Sequence, residues 1–209
     1  GLPHLTVIGI TGSYGKSSTK EFLATILLRK FHVLATPANV NSEIGVAQII
    51  LKRLDPLHDI FIVEMGAYKK GEIAFISKMT QPKIGILTAI NEQHISLFGS
   101  IENIKNAKYE LIESLSDDGF AIFNGDNEYC VELFNQTKKP KLLYSTRDQS
   151  DTHRTMNKGN ADKSFEGAMQ KISNMYATDI RSTSDGIRCT IHKENEQHDF
   201  FIPVLGVHN

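Results

Sequence analysis

Residues Thr11-Gly12-Ser13-Tyr14-Gly15-Lys16-Ser17-Ser18 set two glycines, a lysine and several hydroxyls between an apolar segment and an amphipathic one. A phosphate group is held by backbone N–H groups aimed at it, a helix N-terminus behind it and a cation close by. Gly12 and Gly15 let the backbone wrap without Cβ clashes, Lys16 can reach β- and γ-phosphates, and the Ser17 hydroxyl can bind Mg²⁺. The longer G-x-x-x-x-G-K-[ST] spacing is not met, because Ile10 stands five residues before Gly15; the shorter T-G-x-x-G-K-[ST] form is. The stretch reads as a nucleotide site.

Three more residues can join that chemistry. Glu64 follows the apolar run Ile60-Phe61-Ile62-Val63, so a carboxylate stands where a strand runs out. It is either a Mg²⁺ ligand or a solvated strand-end glutamate. His94 comes shortly after Ile84–Leu87, as a loop histidine or a metal ligand. Lys108 falls within the stripe Ile101, Ile104, Leu111, Ile112 and Leu115 of an amphipathic segment. A buried ammonium must be paired, neutralised or chemically changed, unless the side chain reaches the rim with its stem buried.

The elements that must position these residues follow from the apolar pattern. Leu5–Ile10, Val33–Ala35, Ile60–Val63, Ile84–Leu87, Phe120–Phe123 and Leu142–Tyr144 read as strands. Helices are expected over Lys16–Arg29, Ile44–Leu54, Glu72–Met79 and Ser100–Leu115. On the second of these, Ile44, Ala47, Ile50, Leu51 and Leu54 form one apolar face, and Ser100 is the N-cap of the last. Alternation of strand and helix implies an α/β fold, a doubly wound, mostly parallel sheet of P-loop type. In such sheets ligands bind beyond the carboxyl ends of the strands, which puts the phosphate loop, Glu64 and His94 on one edge. The character changes after residue 145. Residues 146–170 are polar and lack periodicity, while 171–209 suggest a small antiparallel appendage on the sheet edge. There, Ile180–Arg181 and Ile187–Ile191 flank a turn, and Phe200–Val204 is a further strand.

With 209 residues, 40% of them hydrophobic and 22% charged, the chain suits one soluble domain with a sizeable core. A net charge of −1 gives no whole-molecule case for nucleic acid or for an anionic membrane. The two cysteines, Cys130 and Cys189, are far apart, which argues against a disulfide framework and for a reducing compartment. With no signal peptide and no apolar run long enough for a bilayer, a cytoplasmic monomer without membrane insertion is expected. The chain stops at Val207-His208-Asn209 without a finishing element and so reads as a truncated piece.

Taken together, the motifs resemble the central, ATP-binding domain of the Mur ligases over residues 1–209. Thr11–Ser18 with Thr19-Lys20-Glu21 is similar to the family's phosphate loop. Asn39-Val40-Asn41-Ser42-Glu43-Ile44-Gly45, Glu64-Met65-Gly66-Ala67 and Gly71-Glu72-Ile73 are most like the member that adds D-alanyl-D-alanine. His94, Phe98-Gly99-Ser100 and Ala107-Lys108 fit its histidine and lysine motifs, and Leu205–Asn209 resembles the start of its adenine-contacting motif.

The resemblance implies ATP and two Mg²⁺ ions, with Ser17 and Glu64 holding one ion. His94 and a carbamylated Lys108 would help to hold the second. It places Asn41 near the phosphates and His208 and Asn209 near the adenine, with Lys16, Glu64, His94 and Lys108 serving the chemistry. The implied substrates are a UDP-muramoyl-peptide and D-alanyl-D-alanine, and the family's UDP-binding N-terminal and its C-terminal domains would lie outside this chain. Tyr14 stands where the family usually has Asn, Ser42 where a second Asn is common, and Tyr68-Lys69-Lys70 replaces an Asn/His-containing stretch. A folyl-polyglutamate or cyanophycin type of ligase, an ATP-binding regulatory module and a plain P-loop nucleotidase are the competing readings.

Overall fold

The computed structural model describes residues 2–92, 95–146, 175–193 and 196–202. The chain divides into two compact units, one of Gly1–Phe123 with Asn127–Lys141, the other of Asn124–Asp126 with Leu142–Asn209.

In the first unit the elements run β1 (Thr6–Thr11), α1 (Lys16–Leu27), β2 (Val33–Ala35), α2 (Glu43–Arg53), β3 (Ile60–Glu64), α3 (Glu72–Thr80) and β4 (Ile84–Leu87). They continue with α4 (Ile95–Phe98), α5 (Ile101–Glu113), β5 (Phe120–Asn124) and α6 (Glu128–Gln136). The strands lie in the order β2-β3-β1-β4-β5, all parallel. From β1 the chain builds β2 and β3 on one side, then crosses to β4 and β5 on the other. That reversal is the doubly wound pattern expected from the sequence, and it opens a crevice at the carboxyl ends around β1.

Burial on both faces explains the unbroken apolar runs of β1 and β3. Ile8, Ile10, Ile60, Ile62 and Ile86 cluster with Ala24 of α1, with Leu23 and Leu27 packed against them. On the other face α5 comes so close to β1 that a Cβ on Gly9 would lie 2.7 Å from the Leu111 side chain. Ser100 caps α5, its hydroxyl accepting the Asn103 N–H at 3.2 Å, as expected.

α2 departs from the expected pattern. Its buried residue is Val46, about a quarter-turn from the apolar face read from the sequence. Ile44 and Leu51, assigned to the core side, are 72% and 85% exposed. The helix carries more apolar residues than the narrow strip it buries, so periodicity misplaced the strip. α1 ends at Leu27, two residues early.

In the second unit β6 (Lys141–Ser145), whose first residue belongs to the first unit, pairs in parallel with β7 (Met175–Thr183). β7, β8 (Gly186–Lys193) and β9 (Glu196–Ile202) follow as an antiparallel meander. The hairpin read at Ile180–Ile191 is present and longer than expected. β9 begins four residues before Phe200, because its first half is a polar, exposed strand with no apolar signal. The polar stretch 146–170 lies outside the described residues apart from Thr146. Among the described residues no helix is long and apolar enough to cross a membrane.

α3 is fastened from outside itself. Glu110 of α5, 5% exposed, accepts the Gly71 N–H at 2.6 Å and the Ala74 N–H at 3.0 Å, both at the start of α3. Glu110→Ala leaves these donors without their acceptor and is expected to lower unfolding stability by about 1–2 kcal/mol. An unchanged denaturation midpoint would show that the contact carries no stability.

Candidate active site

β1, β3 and β4 end side by side, with Ile10 opposite Glu64 and Thr11 opposite Leu87. The loop from β1 to α1 turns on two glycines in left-handed backbone, Gly12 at φ 151° and Gly15 at φ 79°. A side chain at Gly12 would also collide with Thr88 and with the Ala89 backbone. Thr88, just past β4, fastens the loop by donating its hydroxyl to the Tyr14 carbonyl at 2.6 Å. The Ser13 N–H reaches the Ala89 carbonyl at 2.7 Å, and the Thr11 hydroxyl donates inward to the Met65 carbonyl at 2.9 Å.

Gly15 is the N-cap of α1, and among the described residues no side chain caps this end. The first N–H groups of α1, with exposed Ser17 and Ser18, therefore face outward with the positive end of the helix dipole, a geometry suited to phosphate. Lys16 curls over the loop and donates to the carbonyls of Gly12 at 2.8 Å and Ser13 at 3.4 Å. Burial lowers the Lys16 pKa, opposed by the charge of Glu64.

Glu64 is 2% exposed and fully engaged. Its Oε2 accepts from the Ser17 hydroxyl at 3.0 Å and from the Lys20 ammonium at 3.1 Å. Its Oε1 accepts from the Asn41 side-chain amide at 3.3 Å, and its N–H donates to the Thr36 hydroxyl at 3.0 Å. Asn41 is held in turn by its carbonyl, which accepts the Gly66 N–H at 2.8 Å.

Lys108 closes the other side. Its residue is 5% exposed, and its ammonium lies 5.9 Å from the centre of the Phe98 ring. Burial, reinforced by the charge of Lys16, lowers its pKa to about 8, against the pull of Glu110 and Glu72. Near pH 8 much of this lysine is a neutral amine, a nucleophile rather than a cation. A small crevice of about 70 Å³ joins Gly12, Ser13, Lys16, Asn41, Tyr68, Phe98 and Lys108 among its lining residues.

Thus Lys16, Ser17, Asn41, Glu64 and Lys108, chosen from the sequence, come together at one edge. His94, His208 and Asn209 lie outside the described residues. Lys20, Thr36 and Thr88 were not singled out. A signal for Lys20 existed, since it shares the inward face of α1 with Ala24 at i+4, the same anomaly that drew attention to Lys108. Nothing in the pattern marks the two threonines, whose roles come from strands distant in sequence.

The sequence matches the Mur ligase middle domain family over residues 10–209. The UDP-N-acetylmuramoyl-tripeptide–D-alanyl-D-alanine ligase of Escherichia coli strain K12 is 31% identical over 97% of this chain and 40% of its own length. That of a Synechocystis strain is 38% identical over 73% of this chain and 33% of its own. Among solved structures, MurF from Acinetobacter baumannii superposes with a TM-score of 0.76 at 26% identity, covering 97% of this chain and 39% of that one. The chain thus spans 33–40% of the length of these curated relatives. From the phosphate loop to its last residue, it belongs to the Mur ligase family as that family's middle domain.

Proposed function

We propose that this domain binds ATP in an ATP-dependent amide ligase that joins D-alanyl-D-alanine to a UDP-N-acetylmuramoyl-tripeptide in peptidoglycan precursor synthesis. The observation that carries the reading is the Ser17–Glu64 contact at 3.0 Å, at the start of the helix that follows the lysine-bearing loop. The names of relatives at 31–38% identity support the choice of substrates. A cytoplasmic, monomeric enzyme belongs to the same proposal.

In the proposed reaction a terminal carboxylate oxygen of the muramoyl peptide attacks the γ-phosphorus of ATP. The bond to the bridging oxygen breaks, and ADP leaves with an acyl phosphate formed. The amine of D-alanyl-D-alanine then attacks the acyl carbon, inorganic phosphate departs, and the amine loses a proton to give the amide. Lys16 and the N-terminus of α1 would neutralise and orient the phosphates, which is most of what phosphoryl transfer asks of a protein.

The residues fit Mg²⁺, a hard cation that takes carboxylate and hydroxyl oxygens and completes its shell with phosphate and water. Ser17 and Glu64 would hold one ion, which would supply positive charge against the phosphates. By family resemblance, His94 and a carbamylated Lys108 would hold a second, and His208 and Asn209 would approach the adenine. A neutral amine is the form that adds CO₂, so the lowered pKa of Lys108 supports the carbamate. The modification would replace a cation in an apolar stripe by an anion that the charge of Lys16 favours.

Three outcomes check these proposals. The full-length protein should release ADP and phosphate from ATP only when both acceptors are present, with a pentapeptide product by mass. Turnover regardless of acceptor would point to a nucleotidase, and binding without turnover to a regulatory module. Lys108→Ala should cut turnover at least about a hundredfold, with partial rescue by short carboxylic acids; undiminished activity sinks the carbamate. With ¹³C-bicarbonate, a carbamate carbon signal should grow as the pH rises through about 8, where the amine becomes neutral, and be missing in Lys108→Ala. A wild-type spectrum without it at any pH would exclude the modification.

A further inference from the structure

Two lysines stand one turn apart on α1 and face different things. Lys16 directs its ammonium to the loop carbonyls of Gly12 and Ser13. Lys20 has no exposed surface, and its ammonium reaches Glu64 Oε2 at 3.1 Å and the Pro37 carbonyl at 3.3 Å, with Glu21 Oε1 at 3.5 Å. We propose that Lys20 is a positioning residue that holds Glu64 beside Ser17, and so sets how well this strand end takes a divalent cation. The inference rests on the nucleotide and metal reading given above.

The other donors to Glu64 hold it less firmly. Ser17 sits on an exposed first turn of α1, where its hydroxyl can rotate, and the Asn41 contact is long at 3.3 Å. Among the described residues, Lys20 is the enclosed cation in hydrogen-bond contact with this carboxylate. The Pro37 carbonyl anchors the ammonium on its other side, so it has a second partner that no bound ion removes. Lys20 has no exposed surface, so it offers no atom to a ligand arriving from solvent. It can act on the site only through Glu64. Groups that hold a metal-binding carboxylate in place commonly alter metal affinity about 10–100-fold when removed.

Two other roles make opposite predictions. A buried ion pair that only ties α1 to β3 would change stability and leave cation affinity alone. An ammonium that competes with the cation for Glu64 would weaken binding, so its removal would tighten it.

The test uses the full-length protein, with ADP binding measured by calorimetry without metal and Mn²⁺ binding to the ADP complex by electron paramagnetic resonance. Lys20→Met should keep metal-free ADP affinity within about threefold of wild type and weaken Mn²⁺ about 10–100-fold. Unchanged or tighter Mn²⁺ binding overturns the proposal. Added to Glu64→Gln, which already lacks the charged acceptor, Lys20→Met should cause no further loss; an additive loss overturns it as well.

Should the single variant fail to fold, the double variant Lys20→Met with Glu64→Gln leaves neither charge of this pair behind. Recovery of folding with the Mn²⁺ affinity of Glu64→Gln alone supports the coupling, and a double variant that still fails to fold assigns Lys20 to the fold. None of these readings requires ligation, so they stand apart from a failure of the amide-ligase proposal. Wild-type protein whose ADP complex takes no Mn²⁺ would remove the metal reading and this inference together.

Discussion

A carboxylate enclosed at the end of an apolar strand must be surrounded by donors before the strand can end there. The Glu64 carboxylate meets that condition with donors from two places, Ser17 and Lys20 of α1 and Asn41 of the segment between β2 and α2. The Lys20–Glu64 pair is taken wholly out of water, so its attraction is strong and its desolvation cost is large. Removing one partner from such a pair typically costs about 3–5 kcal/mol, because the other charge is left buried alone. The arrangement therefore fixes where α1 begins relative to β3, and with it where Lys16 and Ser17 point.

The opposite wall follows the same rule with different partners. α5 buries Lys105, Lys108 and Glu110 along with its apolar stripe. Burial works to lower the Lys105 pKa, but the hydrogen bonds it donates to Glu132 and Glu102, with their charges, outweigh it and the net shift is upward. That lysine ties α5 to α6. Glu110 accepts the first N–H groups of α3. Lys108 faces the crevice, and among the described residues no carboxylate forms an ion pair with it, so burial prevails and lowers its pKa to about 8. One helix thus carries two charges that hold neighbours in place and one kept for the site.

The loop between β3 and α3 shows how the two walls join. Asn41 packs over Gly66, where a Cβ would lie 2.9 Å from its side chain, while Glu72 gathers the N–H groups of Tyr68 and Lys69. Tyr68 is thereby set at the mouth of the crevice although it is 66% exposed. The segment Tyr68–Lys69 is thus held by its backbone N–H groups.

The sequence by itself determined the layered α/β plan, the phosphate loop and the suspicion attached to Lys108. These rest on contiguous apolar runs, glycines at a turn and a charge in a helical stripe, all of which are local signals. Only the tertiary structure decided what the buried charges meet. Lys20 finds Glu64 across 44 residues of chain, and Glu110 finds Gly71 across 39. No periodicity encodes such pairings, because they depend on which strands become neighbours. The same limit misplaced the buried strip of α2, where Ile44 and Leu51 carry apolar signal without a surface to cover them. Hydrophobic pattern fixes which elements form, while the parallel order β2-β3-β1-β4-β5 brings their ends, and so the reactive groups, to one edge.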